Sequence, residues 1–237
     1  MGFVEFVLMR VSYHLKQFLV KSFAVFLLLL SSMSGLIAQD SGFKIGKLRY
    51  DGGGDWYANP TSLPNLFKFI RANTTAAINL TEDVTDLKSP QLFQYPMIYM
   101  TGHGNVVFSE EEVVNLRKYL AAGGFFHIDD NYGLDPYIRR EMKKVFPDQD
   151  FVELPFSHGI YHSHFDFPKG LPKIHEHESK PPQGFGLFIE GRLVVYYTYE
   201  CDLGDGWEDR SVHNNPEELR QKALQMGTNI VLWAIGN

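Results

Sequence analysis

The sequence predicts an α/β domain built on a mostly parallel sheet, with a hairpin joining it late in the chain. Three observations carry this. Short apolar runs alternate with segments of helical periodicity, joined by short connections. The run "YPMIYMTGHG", Tyr95 to Gly104, is apolar and ends in glycines, as expected of a strand buried on both faces. "FGLFIEGRLVVYYTYE", Phe185 to Glu200, reads as a strand, a Glu-Gly-Arg turn and a second strand.

The elements follow in order. "FKIGKLRYDGGGDW" gives a strand over Phe43 to Tyr50 and then a glycine-rich turn. Leu63, Leu66, Phe67 and Ile70 recur at helical spacing. "AAINL", Ala76 to Leu80, reads as a short second strand. After the strand ending at Gly104, Ser109 caps a helix, and Glu112 three residues on makes a capping box. Val113, Val114, Leu116, Leu120 and Ala121 form its apolar stripe, and "AAGG" stops it. "FFHID" is the next strand and "DPYIRREMKKVF" the next helix. The last helix starts at Asn215-Pro216, an N-cap followed by proline, and runs through Leu219, Ala223, Met226, Ile230 and Trp233.

The 237 residues are 44% hydrophobic, enough for one core. The net charge of −6 argues against a nucleic-acid partner. Residues 1–38 differ from the rest: Arg10, Lys16 and Lys21 precede an apolar run from Ser22 to Leu30, and Ala38 offers a small residue for cleavage. That pattern reads as a signal peptide, leaving residues 39–237 as one α/β domain, periplasmic or extracellular, with an uncleaved anchor as the alternative. The membrane enters only through this segment. The lone Cys201 excludes an internal disulfide.

In an open parallel sheet, ligands bind at the carboxyl ends of the strands. Three polar segments fall there. They supply Asp51, Gly53, Asp55 and Trp56; Gly102, His103 and Gly104; and Asp129, Asp130 and Asn131 as candidate ligand-binding residues. His127 and Asp129 sit at i and i+2 on one strand face, so they are candidate acid–base groups. A hydrogen-bonded core histidine and a backbone-capping carboxylate are the competing readings. His103, His127, Asp129, His158 and His162 are the candidate metal ligands, because imidazole with carboxylate suits a divalent ion such as zinc. No H-E-x-x-H occurs. His175 and His177 lie beside prolines and charges and read as a solvated loop. No G-x-G-x-x-G and no P-loop lysine appear, so no nucleotide cofactor is expected. Cys201 stands between Glu200 and Asp202, which would raise a thiol pKa, so a buried or incidental cysteine is expected.

"YDGGGDWYANPTSLPNL", "YMTGHGNVVFSEEEVVNLRKYLAAGGFFHIDDNYG" and "FSHGIYHSHFDF" resemble the DUF4159 domain, over roughly residues 43 to 236. The resemblance implies a three-layer flavodoxin-like sandwich of the class I glutamine amidotransferase-like kind, and no established activity. Class I glutaminases carry a cysteine on a strand-to-helix elbow. The matching strand here, Phe125 to Ile128, has none, so their catalytic residues do not carry over. The expected function is binding of a polar small molecule or carbohydrate at the strand ends, without glutaminase activity. Trp56, Tyr57, Tyr132 and Tyr137 would stack on sugars there or pack in the core. The alternatives are a metal-dependent or His/Asp hydrolase and a structural partner in an envelope complex.

Overall fold

A computed structural model describes residues 42–236. The signal-peptide reading lies outside the described residues. The strands are β1 (Ile45–Leu48), β2 (Asp83–Thr85), β3 (Met97–Gly102), β4 (Phe125–Asp130), β5 (Val152–Glu153), β6 (Gln183–Ile189) and β7 (Arg192–Tyr199). The α-helices are α1 (Ser62–Asn73), α2 (Glu110–Ala121), α3 (Asp135–Val145), α4 (Leu203–Trp207), α5 (Arg210–His213) and α6 (Glu217–Gly236).

The strands form one seven-stranded sheet in the order β2-β1-β3-β4-β7-β6-β5. The first five of that order run parallel, and β6 turns back antiparallel on β7 through the expected hairpin. Side chains alternate across the pleat, so each central strand feeds two cores. Tyr99, Phe125 and Tyr196 face Leu66, Phe67 and Ile70 of α1 and Met226 and Ile230 of α6. Ile98, Phe126, Ile128 and Val195 face Leu116 and Leu120 of α2 and Ile138 and Met142 of α3. The result is a three-layer α/β sandwich.

The capping box forms as the spacing predicts: Glu112 N–H donates to Ser109 Oγ (3.4 Å), and Ser109 N–H donates to Glu112 Oε2 (2.7 Å). One strand moves. Ala76 to Leu80 contributes a single bridge, Phe43 with Ile78, and the edge strand is Asp83–Thr85 instead. Leu80 and Val84 are both exposed at this edge, so apolar content is a poor guide to pairing there. Among the described residues no helix is long and apolar enough to cross a membrane.

Register decides what reaches the carboxyl edge. Thr101 pairs with Asp129, Gly102 with Asp130, and Asp129 with Thr198. The segments after β1, β3, β4 and β7 therefore leave the sheet at one edge.

Candidate functional site

The turns after β1 and β3 are stitched together. Val107 N–H donates to Asp51 O (2.8 Å), Gly54 N–H to Asn105 O (3.0 Å) and Asn105 Nδ2 to Gly52 O (3.0 Å). Gly102 has φ +138°, and a Cβ there would lie 2.3 Å from Tyr50 Oη and 3.0 Å from Asp55 Oδ1. Only glycine gives both that conformation and that space. The turn brings Asp55 and His103 together. Asp55 Oδ1 accepts the His103 backbone N–H at 2.5 Å, and Asp55 Oδ2 lies 3.0 Å from His103 Nδ1. Trp56 is half-buried and meets Tyr57 edge-on, while Asp51 and Gly53 are exposed.

The end of β4 goes inward. His127 is fully buried among the rings of Tyr99, Tyr196 and Trp207, with Nε2 3.1 Å from Thr198 Oγ1. Its Nδ1 has no hydrogen-bond partner, and burial pushes its pKa down to about 3. Asp129 is also fully buried. It accepts Thr198 Oγ1 at 2.6 Å, Gly204 N–H at 2.7 Å and Leu203 N–H at 3.3 Å. Burial raises its pKa to about 7; its hydrogen bonds oppose that rise, and the negative charges of Asp202 and Asp205 add to it. Asp130 accepts the amides of Tyr132 (2.9 Å) and Leu134 (3.0 Å), and burial raises its pKa too. Asn131 Oδ1 accepts Thr101 Oγ1 at 3.0 Å. Both carboxylates thus satisfy backbone donors of the segments that follow the strands.

This gives a first expected result. Asp129→Ala removes the acceptor from two buried amides and lowers stability by about 1–3 kcal/mol. Urea denaturation at about pH 4.5, where the folded Asp129 still holds its proton, measures the loss, and an unchanged midpoint would contradict the capping role.

The proposed metal set does not gather at one point. His158 caps the short 3-10 turn Gly159–Tyr161 and packs on Trp233 near the end of α6. The start of α6 lies at the other edge, where Arg220 donates to Glu208 O. Thirteen helical steps separate Arg220 from Trp233, roughly 20 Å. His162 pairs with Asp166 at 2.5 Å and stays with the His158 segment.

A different set does converge. The chain leaves β7 through Glu200, Cys201 and Asp202. Asp202 takes a left-handed conformation (φ +52°) and starts the one-turn helix α4. Asp205, three residues on, falls on the same side of that turn. The loop Lys173 to Glu178 is pinned across this point by Ile174 N–H to Cys201 O (2.9 Å). It delivers His175, whose Nδ1 lies 2.9 Å from Asp205 Oδ2 and 3.5 Å from Asp202 Oδ2. His177 Nε2 lies 2.5 Å from Asp202 Oδ2, and its ring stacks on Tyr132 at 4.5 Å. From α5, His213 Nε2 reaches Glu208 Oε2 at 3.1 Å and Asp205 Oδ1 at 3.7 Å.

One ligand atom from each of His175, Asp205 and His213 lies within 4.8 Å of the other two. Asp202 is fully buried, and its Oδ1 has no hydrogen-bond partner. A buried carboxylate oxygen without a donor is costly unless a cation satisfies it. Hydrogen bonds to Asp202 and Asp205 raise the His175 pKa to about 10, so the ion-free cluster holds an imidazolium between carboxylates. Two imidazoles and a carboxylate suit zinc or iron(II) with positions left open. Sequence reasoning passed over this set. The available signal was "ECDLGDGWEDRSVH" directly after a strand, with Asp202, Asp205 and Glu208 at intervals of three and His213 behind them.

The fold and this edge define an α/β sandwich domain with a histidine–carboxylate cluster where parallel strands end. The chain belongs to the family described as a domain of unknown function, DUF4159, whose profile matches residues 44–235. No curated protein matches the chain.

Proposed function

We propose that this domain binds one divalent transition ion through His175, Asp205 and His213, with Asp202 beside them, and presents it to a polar ligand at the carboxyl edge. The observation that carries the reading is the convergence of two imidazoles and a carboxylate, with one ligand atom each from His175, Asp205 and His213 within 4.8 Å of one another. Three protein ligands leave room for water or a substrate oxygen, the arrangement of hydrolytic centres. The reading therefore favours the metal-dependent alternative over simple ligand binding. The reading assigns no nucleophilic role to Cys201, which is fully buried and whose pKa burial, followed by the Asp129 and Asp202 charges, raises well above the ordinary thiol value.

The test is metal stoichiometry. Protein stripped with a chelator, reloaded with zinc, iron(II) or manganese and dialysed is expected to retain about one ion per chain, read by elemental analysis. Retention far below one for every ion would end the reading.

A further inference from the structure

We propose that Asp55 and His103 form a proton-transfer dyad at the same edge, in which His103 Nε2 takes a proton from water attacking a bound polar substrate and Asp55 holds the ring. The proposal goes beyond the metal reading and does not require it. A working dyad needs a base, a carboxylate that fixes its tautomer, and an open second nitrogen. All three are present. Asp55 Oδ2 lies 3.0 Å from His103 Nδ1, so Nδ1 is the protonated nitrogen and Nε2 the basic one. Asp55 is itself fixed, because its Oδ1 accepts the His103 backbone N–H at 2.5 Å. His103 Nε2 makes no hydrogen bond among the described residues, and the side chain is 52% exposed.

The surroundings are built for this geometry rather than tolerant of it. Gly102 leaves no room for a side chain between Tyr50 and Asp55. The Asp55 turn is tied to the His103 turn by Gly54 N–H to Asn105 O, and Arg140 Nη2 holds Asn105 Oδ1 at 3.0 Å. An adventitious surface pair would have no such scaffold, since two exposed side chains gain little by meeting.

The probe is p-nitrophenyl acetate, with the full-length chain in excess EDTA so that no metal centre contributes. In the step proposed, His103 Nε2 takes one proton from water while the water oxygen bonds to the carbonyl carbon. The carbonyl–oxygen bond to p-nitrophenolate breaks, acetic acid and p-nitrophenolate leave, the acid gives the second water proton to solvent as acetate forms, and the imidazolium returns the first. His103→Gln is expected to lower the rate at least about tenfold, short of the roughly 100-fold usual for a general base because the probe makes few contacts. Asp55→Asn keeps an acceptor for the backbone N–H but presents an amide to Nδ1. It is expected to lower the rate as far as His103→Gln and to abolish the solvent deuterium isotope effect. The exposed His164→Gln is the control and should leave the rate unchanged. A wild-type rate in His103→Gln overturns the proposal. So does a fall in His103→Gln with no change in Asp55→Asn, which would make His103 a lone surface imidazole. If either variant melts early, diethyl pyrocarbonate labelling of the wild-type chain decides. Activity should fall in step with modification of His103, and loss of activity with His103 unmodified overturns the dyad. Zinc retention can fail without touching this result, and the reverse also holds.

Discussion

His127→Phe is expected to change the pH dependence of stability by about 3 kcal/mol between pH 4.5 and pH 6.5. His127 is fully buried, with a folded pKa near 3 against an ordinary value of 6.5. Its contribution to stability is therefore present above pH 6.5 and is lost as pH falls toward 3, because the unfolded chain takes the proton first. At about 1.4 kcal/mol per unit of pH, the loss reaches roughly 3 kcal/mol by pH 4.5. Asp129 works the other way. Its folded pKa near 7 lies above the ordinary 3.8, so its contribution is present below pH 4 and is lost as pH rises through 7. Between about pH 4 and 6.5 the two slopes oppose and nearly cancel in the wild type.

Removing His127 unmasks the other slope. Phenylalanine fits the ring cluster of Tyr99, Tyr196 and Trp207 and gives up one hydrogen bond to Thr198. The stability of wild type minus that of His127→Phe should therefore fall by about 3 kcal/mol from pH 6.5 to pH 4.5, measured by urea denaturation at each pH. A difference that stays constant would mean that His127 titrates normally in the fold, and the packing described for it would have to be abandoned.

The two carboxylates after His127 show why part of the site was legible and part was not. Strand ends, the capping box at Ser109 and the hairpin turn each have a local signature, so the sheet and its carboxyl edge follow from spacing alone. Asp55 and His103 also follow, because both lie on turns that leave adjacent strands. A carboxylate at a strand end, however, serves equally as a ligand group and as an acceptor for the next turn. Asp129 and Asp130 point to N–H groups of Gly204 and Leu134, and nothing in "HIDDN" distinguishes that from a cleft floor. The converging cluster was illegible for a different reason. Its members come from the loop at 175–177, the one-turn helix at 203–207 and the segment ending at His213. A five-residue helix containing Gly204 and Gly206 has no periodicity to detect. The loop is brought to it by one backbone hydrogen bond, from Ile174 to Cys201, which no residue pattern announces.

Asp205→Asn should weaken zinc binding by at least about 100-fold, more than the 10–100-fold typical of losing an outer-shell partner. Asp205 stands between the two histidines, with Oδ2 2.9 Å from His175 Nδ1 and Oδ1 3.7 Å from His213 Nε2. Asparagine keeps the shape and removes the charge, so any loss reports on the ion rather than on packing. The effect is amplified in stability. Zinc at about 100 times its Kd stabilises the folded wild type by about 2.7 kcal/mol. At the same zinc concentration a variant with 100-fold weaker affinity sits near its own Kd and gains only about 0.4 kcal/mol. Thermal unfolding with and without zinc reads the difference directly. An equal zinc-dependent gain in wild type and Asp205→Asn would place the ion elsewhere and leave the cluster as an ion-pair network. A gain confined to the wild type requires the charge of Asp205, the one carboxylate among the described residues that reaches both His175 and His213.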